Sequence, residues 1–445
     1  MLDNNQNLMD KIVSLCKRRG FVYPGSDIYG GLANTFDFGP LGAELANNIK
    51  KNWWKNFVQK RSDIYGLDGG ILMNAKIWEA SGHTQGFIDY LVECKKCHKR
   101  FKAEEKNSKN PSVDRQKCPE CGGELTQAKK FVPMFKTFVG PVEDSAAITY
   151  LRPETAQAIF VNFKNILDSF HPVLPFGIAQ MGKAFRNEIT LGNFIFRKLE
   201  FEQMEIEYFI KEKDWKKHFA EWKKEIEKWV SGLGISKKNI RWREHGQEEL
   251  AHYSKHTEDL EYNFPFGGFK ELYGLAYRTD YDLKNHSEKS GKDLRYIDRE
   301  TNEKFFPHVI EPSFGMERTM LAILSQSYDE EEIKGAKRVV LRLNPNIAPI
   351  KVAVFPLLAN KPRLIEKARQ IYDNLKEKFF VAFDDRGNIG KRYYAQDEAG
   401  TPYCVTVDFE SLEKDDVTVR ERDSMKQERI KIKDLLAYFL NKIDV

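Results

Sequence analysis

Four cysteines stand in two pairs whose spacing is that of a metal site. Cys94 and Cys97 are separated by two residues, as are Cys118 and Cys121, and twenty residues lie between the pairs. Each pair can form a tight turn that aims two thiolates at one tetrahedral zinc ion. The spacing therefore predicts a structural zinc site with these four ligands. Two alternatives are a loop with reduced thiols and a site in which His98 replaces one ligand.

A second group of candidate residues is charged or aromatic and occupies alternate positions of two apolar segments. They are Arg186 and Glu188 on a first predicted strand, and Phe201, Gln203 and Glu205 on a second, with a loop over 190–198 between the strands. Side chains two apart on a strand share one face of a sheet. An arginine there can neutralise a phosphate and a carboxylate together, and a phenylalanine can stack beneath a purine. A solvent-facing hairpin with cross-strand ion pairs is the alternative.

A third group lies in the segment 308–324, which predicts a strand followed directly by a helix. The strand ends in Glu311 and Ser313, and Gly315 would let a ligand approach the backbone closely. Arg318 falls in the first turn of the helix, where the macrodipole favours acids rather than bases. Its position there indicates a bound anion.

The phosphate loops that many ATP-using enzymes carry are absent from the sequence. It has no G-x-x-x-x-G-K-[ST] and no strand-linked G-x-G-x-x-G, so a nucleotide would be bound in another way. Glu271, which follows the glycine-rich segment 266–269, is a candidate magnesium ligand. Carboxylates combined with phosphate oxygens suit that ion.

The elements that must position these residues fall into more than one domain. A length of 445 residues suggests two to four domains. Segment 91–130 has little apolar content and looks like an insertion. A stripe of apolar residues spaced three and four apart predicts a helix with one buried face; it comprises Trp215, Phe219, Trp222, Ile226 and Trp229. After Pro345 and Pro349, alternating strand and helix patterns predict a small α/β domain.

Composition and charge set limits on the class of protein. The net charge is only +5, so composition alone does not indicate a nucleic-acid binder. Residues 91–130 carry eleven Lys and Arg against six Asp and Glu, which makes this stretch a candidate phosphate-contacting surface or a solvated charged face. No segment approaches the roughly 18 to 20 apolar residues of a membrane span, and no secretory leader is apparent. We therefore expect a cytoplasmic protein with no membrane partner.

Several segments resemble class II aminoacyl-tRNA synthetases. Residues 185–188, their loop and 197–205 are similar to motif 2 of that family, and residues 313–318 are similar to motif 3. Other segments resemble the glycyl branch in particular: 25–31, 78–83, 152–157, 311–313, 389–393, 400–403 and 417–420. The resemblance covers nearly the whole chain outside the cysteine segment.

The resemblance implies an α+β fold with three parts. Residues 1–90 and 131–345 would form the antiparallel-sheet catalytic domain of a class II synthetase, residues 91–130 a cysteine-rich zinc insertion, and residues 350–445 a C-terminal α/β anticodon-binding domain. It also implies a homodimer. The family's motif 1 usually has a proline two residues after its methionine, whereas Met73 and Asn74 are followed here by Ala75.

The resemblance further implies the reaction. The enzyme would activate glycine with ATP and magnesium and transfer it to the acceptor end of glycine tRNA, whose anticodon the C-terminal domain would bind. Arg186, a catalytic residue, would hold the α-phosphate and the glycine carboxylate, and Glu188 would accept from the adenine amino group. Phe201 and Arg318, the second catalytic residue, would sandwich the base, with Arg318 also reaching the γ-phosphate.

The implied binding residues form two sets. The ATP set is Arg186, Asn187, Glu188, Phe196, Arg197, Phe201, Glu271, Leu272, Gly315, Met316, Glu317 and Arg318, with Glu271 also assisting magnesium. The glycine set is Arg100, Glu154, Phe201, Gln203, Glu205, Glu311, Ser313 and Gly315, with Lys102 as an alternative to Arg100. Glycine has no side chain to grip, so we expect a small acidic pocket for its ammonium group that is closed at the α-carbon.

Two other functions fit the same motifs. One is a class II synthetase for a different amino acid, such as proline, threonine or histidine. The other is a non-catalytic paralogue that binds nucleic acid as an accessory subunit. Such a paralogue would be expected to lose Arg186, Glu188 or Arg318, and all three are present.

Overall fold

The computed structural model describes residues 2–103, 117–144, 147–189, 192–333 and 335–443. Its helices are Leu2–Arg19, Pro40–Trp54, Ala75–Ala80, His83–Gly86, Ala156–Phe170, Trp215–Gly232, Tyr281–Ser290, Met316–Ser327, Pro362–Lys376, Ile389–Ala399, Phe409–Lys414 and Leu435–Leu440. Within this described part, no helix is long and apolar enough to cross a membrane.

A seven-stranded sheet dominates the first three quarters of the chain. Its strands, in spatial order, are Ile240–Glu244, His256–Phe264, Gly268–Thr279, His308–Gly315, Glu200–Ile210, Phe176–Phe185 and Ile64–Leu67. Neighbouring strands run antiparallel except at one edge, where Ile64–Leu67 pairs in parallel with Phe176–Phe185. The antiparallel sheet expected from the resemblance is confirmed.

One face of this sheet is covered by helices that the apolar patterns predict. On the helix Trp215–Gly232, Phe219, Trp222, Ile226 and Trp229 are buried, as the stripe of apolar residues predicts. These side chains join the main core, where Trp229 meets Phe314 of the sheet with ring centroids 5.3 Å apart. The opposite face of the central strands is covered in part by the helix Ala156–Phe170, whose Phe163 ring centroid lies 4.6 Å from that of Phe209 in the sheet. The rest of that face is left to bind ligands.

A five-stranded sheet forms a second unit near the C-terminus. Its strands, in spatial order, are Val381–Phe383, Val352–Pro356, Tyr403–Val407, Asp416–Glu421 and Gln427–Lys431. The first three are parallel to one another and the last two are antiparallel additions. This sheet has its own core, to which the helix Pro362–Lys376 contributes Leu364, Ala368, Ile371 and Leu375. The α/β pattern predicted after Pro349 is confirmed.

Short strands form five smaller sheets in the described structure. Two of these sheets have three strands: one consists of Arg100–Lys102, Asp89–Glu93 and Lys129–Phe131, and the other of Leu72–Met73, Ile148–Leu151 and Lys136–Phe138. The other three are strand pairs: Val22–Pro24 with Phe36–Phe38, Tyr296–Ile297 with Lys304–Phe305, and Tyr328–Ile333 with Ala336–Leu341.

The side chain of Asn74 accepts from the backbone N–H of Lys76 and so caps the helix that begins at Ala75.

The first strand of the predicted hairpin is shorter than the sequence suggests. It ends at Phe185, so the prediction that Arg186 and Glu188 lie on a strand is wrong. The N–H of Arg186 still donates to Leu199, but that of Asn187 turns away to the carbonyl oxygen of Pro133. Because the chain leaves the sheet at this point, both charged side chains are free to line a cavity above it.

Candidate active site

A cavity of about 520 Å³ lies over the part of the seven-stranded sheet that carries Phe201, Gln203 and Glu205. Most of the residues predicted to bind ATP or glycine line it: Glu154, Arg186, Glu188, Phe196, Arg197, Phe201, Gln203, Glu205, Glu271, Leu272, Glu311, Ser313, Gly315, Glu317 and Arg318. Asn187 and Met316 are not among the lining residues, and Met316 is fully buried. Thr190 and Leu191, part of the loop predicted between the two strands, fall outside the described residues.

We call one part of the cavity the arginine end, defined by Arg186, Glu271 and Arg318. The guanidinium group of Arg186 lies 5.5 Å from the ring centroid of Phe87 and 5.4 Å from that of Phe201. Its Nε donates to the carbonyl oxygen of Pro153 at 2.9 Å. These contacts hold the side chain, and within the described residues they leave its terminal nitrogens to donate to an anion.

Arg318 also lines the arginine end, in the first turn of the helix Met316–Ser327. Its Nη1 is 2.8 Å from Oε1 of Glu271, and its guanidinium group is 4.6 Å from the ring centroid of Phe196. The charge of Arg318 lowers the pKa of Glu271 and keeps this carboxyl group ionised. In this structure, Arg318 therefore contacts Phe196, and Phe201 faces Arg186.

A buried ion pair at the wall of the cavity joins the two motifs. Lys198 Nζ and Glu317 Oε1 are 3.1 Å apart, and each side chain is only 4% exposed. The other oxygen of Glu317 accepts from the backbone N–H of Glu202 at 3.0 Å. Glu317 thus ties the helix of motif 3 to the strand of motif 2, and with it the positions of Arg318 and Phe201.

We call the other part the acidic end, defined by Glu154, Glu205 and Glu311. Glu205 accepts hydrogen bonds from Ser313 Oγ at 2.8 Å and from Thr155 Oγ1 at 2.5 Å. All three carboxyl groups are buried, with residue exposures of 7%, 2% and 7%. The predicted acidic pocket with Ser313 is therefore assembled in this structure.

Each remaining acid of this end has a different partner. Glu154 lies 3.3 Å from His83 Nε2 and accepts from Gln157 at 3.0 Å. Glu311 accepts from Arg278 Nη1 at 2.8 Å. Arg278 is in turn held by two 2.9 Å hydrogen bonds to Asp282, and its guanidinium group lies 3.7 Å from the ring centroid of Tyr253.

These partners separate the pKa values of the three acids. Burial raises the pKa of Glu154, but His83, Arg278 and the hydrogen bond from Gln157 outweigh it, and the net pKa is lowered. Burial and the neighbouring charge of Glu154 raise the pKa of Glu205. Burial raises the pKa of Glu311 to about 8 despite the attraction of Arg278. A cation in this pocket would stabilise the ionised forms and relieve the repulsion among them.

The sequence reasoning missed several residues of this end. His83, Glu207, Arg278 and Asp282 are buried, and Tyr253 is partly buried. Glu207 continues the alternation of Gln203 and Glu205 along the strand Glu200–Ile210, so that signal could have found it. Arg278 has one partner nearby in sequence, Asp282 four residues on, but its other partner, Glu311, lies on a separate strand 33 residues away, which the sequence does not indicate.

Arg100 and Lys102 are placed differently by the short strand that carries them. Lys102 lines the cavity, with its Nζ 2.5 Å from Asp89 Oδ1. Arg100 does not line it; its side chain is 66% exposed and contacts Glu93 at 3.0 Å. Residues two apart on one strand share a face, but Lys102 stands opposite Leu91 and reaches Asp89, which also lines the cavity, whereas Arg100 stands opposite Glu93.

The four paired cysteines converge on one point outside the cavity. Cys94 Sγ is 3.5 Å from Cys121 Sγ, and Cys97 Sγ is 3.7 Å from Cys118 Sγ. Sulfur atoms at the corners of a tetrahedron with zinc–sulfur bonds of about 2.3 Å would be about 3.8 Å apart. Backbone N–H groups of Lys96 and Cys97 also point at Cys94 Sγ at 3.4 Å. The cluster fits a zinc ion.

Comparison with known proteins agrees with this geometry. Residues 141–327 match the family model described as the tRNA synthetase class II core domain (G, H, P, S and T), and residues 351–442 match the anticodon binding domain. The antiparallel sheet, the two arginines that line the cavity and the C-terminal α/β unit are thus those of a class II aminoacyl-tRNA synthetase.

Similar full-length proteins show which family within this class the chain belongs to. The chain is 52% identical to the glycine–tRNA ligase of Clostridium acetobutylicum, with 99% of each chain covered. It is 53% identical to that of Acetivibrio thermocellus over 98% of each chain, and 51% identical to that of Treponema denticola over 98% of this chain and 97% of the relative. The chain belongs to the glycine–tRNA ligase family.

Proposed function

We propose that this protein activates glycine with ATP and transfers it to the 3′ end of glycine tRNA. The observation that carries the proposal is the combination of two ends in one cavity: arginines that suit phosphates beside an enclosed group of acids that suits a small ammonium ion. Membership of the glycine–tRNA ligase family supports the same assignment.

The arginine end would bind ATP. Arg186 would hold the α-phosphate and the glycine carboxylate, since its planar fork can donate to both. Phe201 and Arg318 would enclose the adenine, and Glu188 would accept from its amino group. Glu271 offers a carboxylate for the magnesium ion that accompanies ATP, and that ion would neutralise charge on the phosphates.

The acidic end would bind the glycine ammonium group. Glu205 and Glu311 have raised pKa values in the empty pocket because burial disfavours their charge, and the ammonium supplies the missing opposite charge. Selectivity would come from closing the space around the α-carbon. Attraction to an extra methylene is worth only about 1 to 3 kcal/mol, whereas steric closure has no such limit.

The reaction then needs positioning more than proton transfer. The glycine carboxylate attacks the α-phosphorus in line, the bond to the bridging oxygen breaks, and pyrophosphate leaves. A hydroxyl group of the terminal tRNA ribose next attacks the glycyl-adenylate carbonyl, and AMP leaves. Proximity and charge neutralisation supply most of the acceleration in such transfers, and we assign no general base.

The remaining parts of the protein would serve the tRNA and the assembly. We assign residues 1–90 and 131–345 to the catalytic domain, 91–130 to the insertion and 350–445 to the anticodon-binding domain. The acceptor end of the tRNA would enter over the loop after Glu188. We further propose a homodimer that acts in the cytoplasm.

The function is tested by ATP–pyrophosphate exchange with single amino acids, followed by charging of purified tRNAs. Glycine should support exchange, and glycine tRNA alone should be charged. Better exchange with proline, threonine, histidine or serine would contradict the substrate. Tight tRNA binding with no exchange for any amino acid would instead favour an accessory paralogue.

The insertion would carry one zinc ion per chain, bound by the four paired cysteines. Because structural zinc contributes directly to folding, Cys94→Ser should lose the metal and lower the melting temperature. His98→Ala is the matched control. The His98 side chain is 77% exposed, and its ion-pair partner within the described residues is Glu93. Metal-free protein from a chelator-free purification, or zinc loss in the control variant, would contradict this ligand set.

A further inference from the structure

Glu207 is a buried acid of the acidic end that has no assigned role. It follows Glu205 by two residues on the strand Glu200–Ile210 and is fully buried. Within the described chain, neither oxygen of its carboxyl group has a hydrogen-bond partner. Glu205 and Glu311, in contrast, each accept from a neighbouring side chain. An ionised carboxylate buried without donors is highly unfavourable.

The surroundings of Glu207 add negative charge rather than remove it. One carboxyl oxygen each of Glu205, Glu207 and Glu311 lies within 4.8 Å of the others. Arg278 and Asp282 are the other charged groups that act on it, and Asp282 takes two hydrogen bonds from Arg278. On the remaining side, the neighbouring strand offers an apolar residue, Ile178.

The charges of the cluster therefore cannot all be present together. The cluster contains five buried carboxyl groups and the buried guanidinium group of Arg278. The acids are Glu154, Glu205, Glu207, Asp282 and Glu311. Three cations can face these acids: Arg278, His83 beside Glu154 and, under the proposed function, the glycine ammonium. Close carboxylates cannot all ionise, and the one without donors is the one that stays protonated. Burial, followed by the charge of Glu311, raises the pKa of Glu207 well above its usual value.

We propose that Glu207 is a neutral positioning acid: it keeps its proton in the working enzyme and holds the carboxylates of Glu205 and Glu311 in place for the amino group of the substrate. A neutral carboxyl group can donate its O–H to an ionised neighbour, whereas a third carboxylate would repel it. The group also fills the space behind the ammonium site without competing for the cation. This inference rests on the proposed function, because it concerns how glycine is held.

The test compares three variants by ATP–pyrophosphate exchange, with glycine and ATP varied separately. Glu207→Gln keeps a neutral, hydrogen-bonding group of the same shape, and its KM for glycine should stay within about threefold of the wild type. Glu207→Met keeps the volume but cannot donate, and it should raise the KM for glycine roughly tenfold or more with the KM for ATP unchanged. Glu205→Gln, which removes a charge from the amino group, should raise the KM for glycine strongly.

Calorimetry of glycine binding in buffers of different ionisation enthalpy gives an independent readout, which stands even if Glu207→Met fails to fold. Because Glu207 keeps its proton throughout, Glu207→Gln should release as many protons per glycine as the wild type. A changed proton count, or a rise in the KM for glycine as large as in Glu205→Gln, would show that Glu207 is ionised, and would overturn the proposal.

Two further outcomes would also overturn it. A folded Glu207→Met enzyme that matches the wild type would show that the carboxyl group has no part in glycine binding. Equal rises in the KM for glycine and ATP would indicate a purely structural role. A wild-type enzyme that does not use glycine would refute the proposed function itself, and that result is distinct because it appears before any variant is made.

Discussion

At the arginine end of the cavity, charges are already paired within the protein. Arg318 contacts Glu271 at 2.8 Å, and the pKa of Glu271 is lowered as a result. At the acidic end, like charges are crowded together, and the pKa of Glu205 and Glu311 is raised. The first end would bind a ligand by exchanging partners, and the second by receiving the cation that it lacks.

This difference indicates how one cavity can take two small substrates separately. A nucleotide triphosphate brings charges that match the arginines, so its binding depends on geometry and on the accompanying metal. Glycine brings one ammonium group into a buried site whose empty form is electrostatically unfavourable. Changes at the two ends should therefore affect different substrates.

The largest effect should come from Arg186, which lies where both substrates would meet. Arg186→Ala should reduce glycine-dependent exchange by roughly 30-fold to several thousand-fold, because losing such a charge contact costs about 2 to 5 kcal/mol. The matched control is Arg295→Ala, an exposed arginine paired with Asp293 at 2.9 Å outside the cavity. Near-normal exchange in a folded Arg186→Ala enzyme would contradict the assigned role.

Two neutral substitutions, one at each end, test whether the two ends bind different substrates. Glu311→Gln should raise the KM for glycine by roughly 5-fold to 150-fold and leave the KM for ATP nearly unchanged, since a lost charged contact costs about 1 to 3 kcal/mol. Glu271→Gln should act on ATP and its magnesium dependence instead. If both variants weaken glycine and ATP to the same extent, the two ends do not function separately.

The pH dependence of glycine binding tests the protonation state of the acidic end. The pKa of Glu311 is about 8 in the empty pocket, so the group is mostly protonated below that pH. The ammonium prefers the ionised carboxylate, so binding must release the proton. Glycine affinity should therefore fall as pH decreases below about 8, by at most about tenfold per pH unit. Glu311→Gln should abolish this slope, and a slope that persists in the variant would assign it to another group.

The smallest effects on exchange should come from Lys102 and Arg100, and they should differ between these two cations. Lys102→Ala, at the cavity wall, should lower exchange several-fold, consistent with about 1 kcal/mol for a partly exposed charge. Arg100→Ala removes a largely exposed ion pair with Glu93 and should change exchange by less than about twofold. The reverse order in a kinetic assay would mean that Arg100 reaches the substrate when the enzyme closes.

Sequence patterns anticipated those features whose causes are local. The helix Trp215–Gly232 follows its apolar stripe, and the strand His308–Gly315 passes into a helix at Met316 as the segment 308–324 predicts. The end of the strand at Phe185 was missed because Pro133, from a distant segment, takes the N–H of Asn187. The helix Pro40–Trp54 begins at a proline, a residue favoured in a first helical turn.

The sequence by itself determined the fold class, the family and the four cysteines that can hold zinc, because motif spacing and short turns are properties of neighbouring residues. Only the tertiary structure decided which acids share a pocket, which of them have donors, and that Arg278 supports Glu311 while nothing in the described chain donates to Glu207. Their pKa values follow from burial and from charges on other strands and helices. Those quantities depend on distances in space, which the order of residues along the chain does not specify.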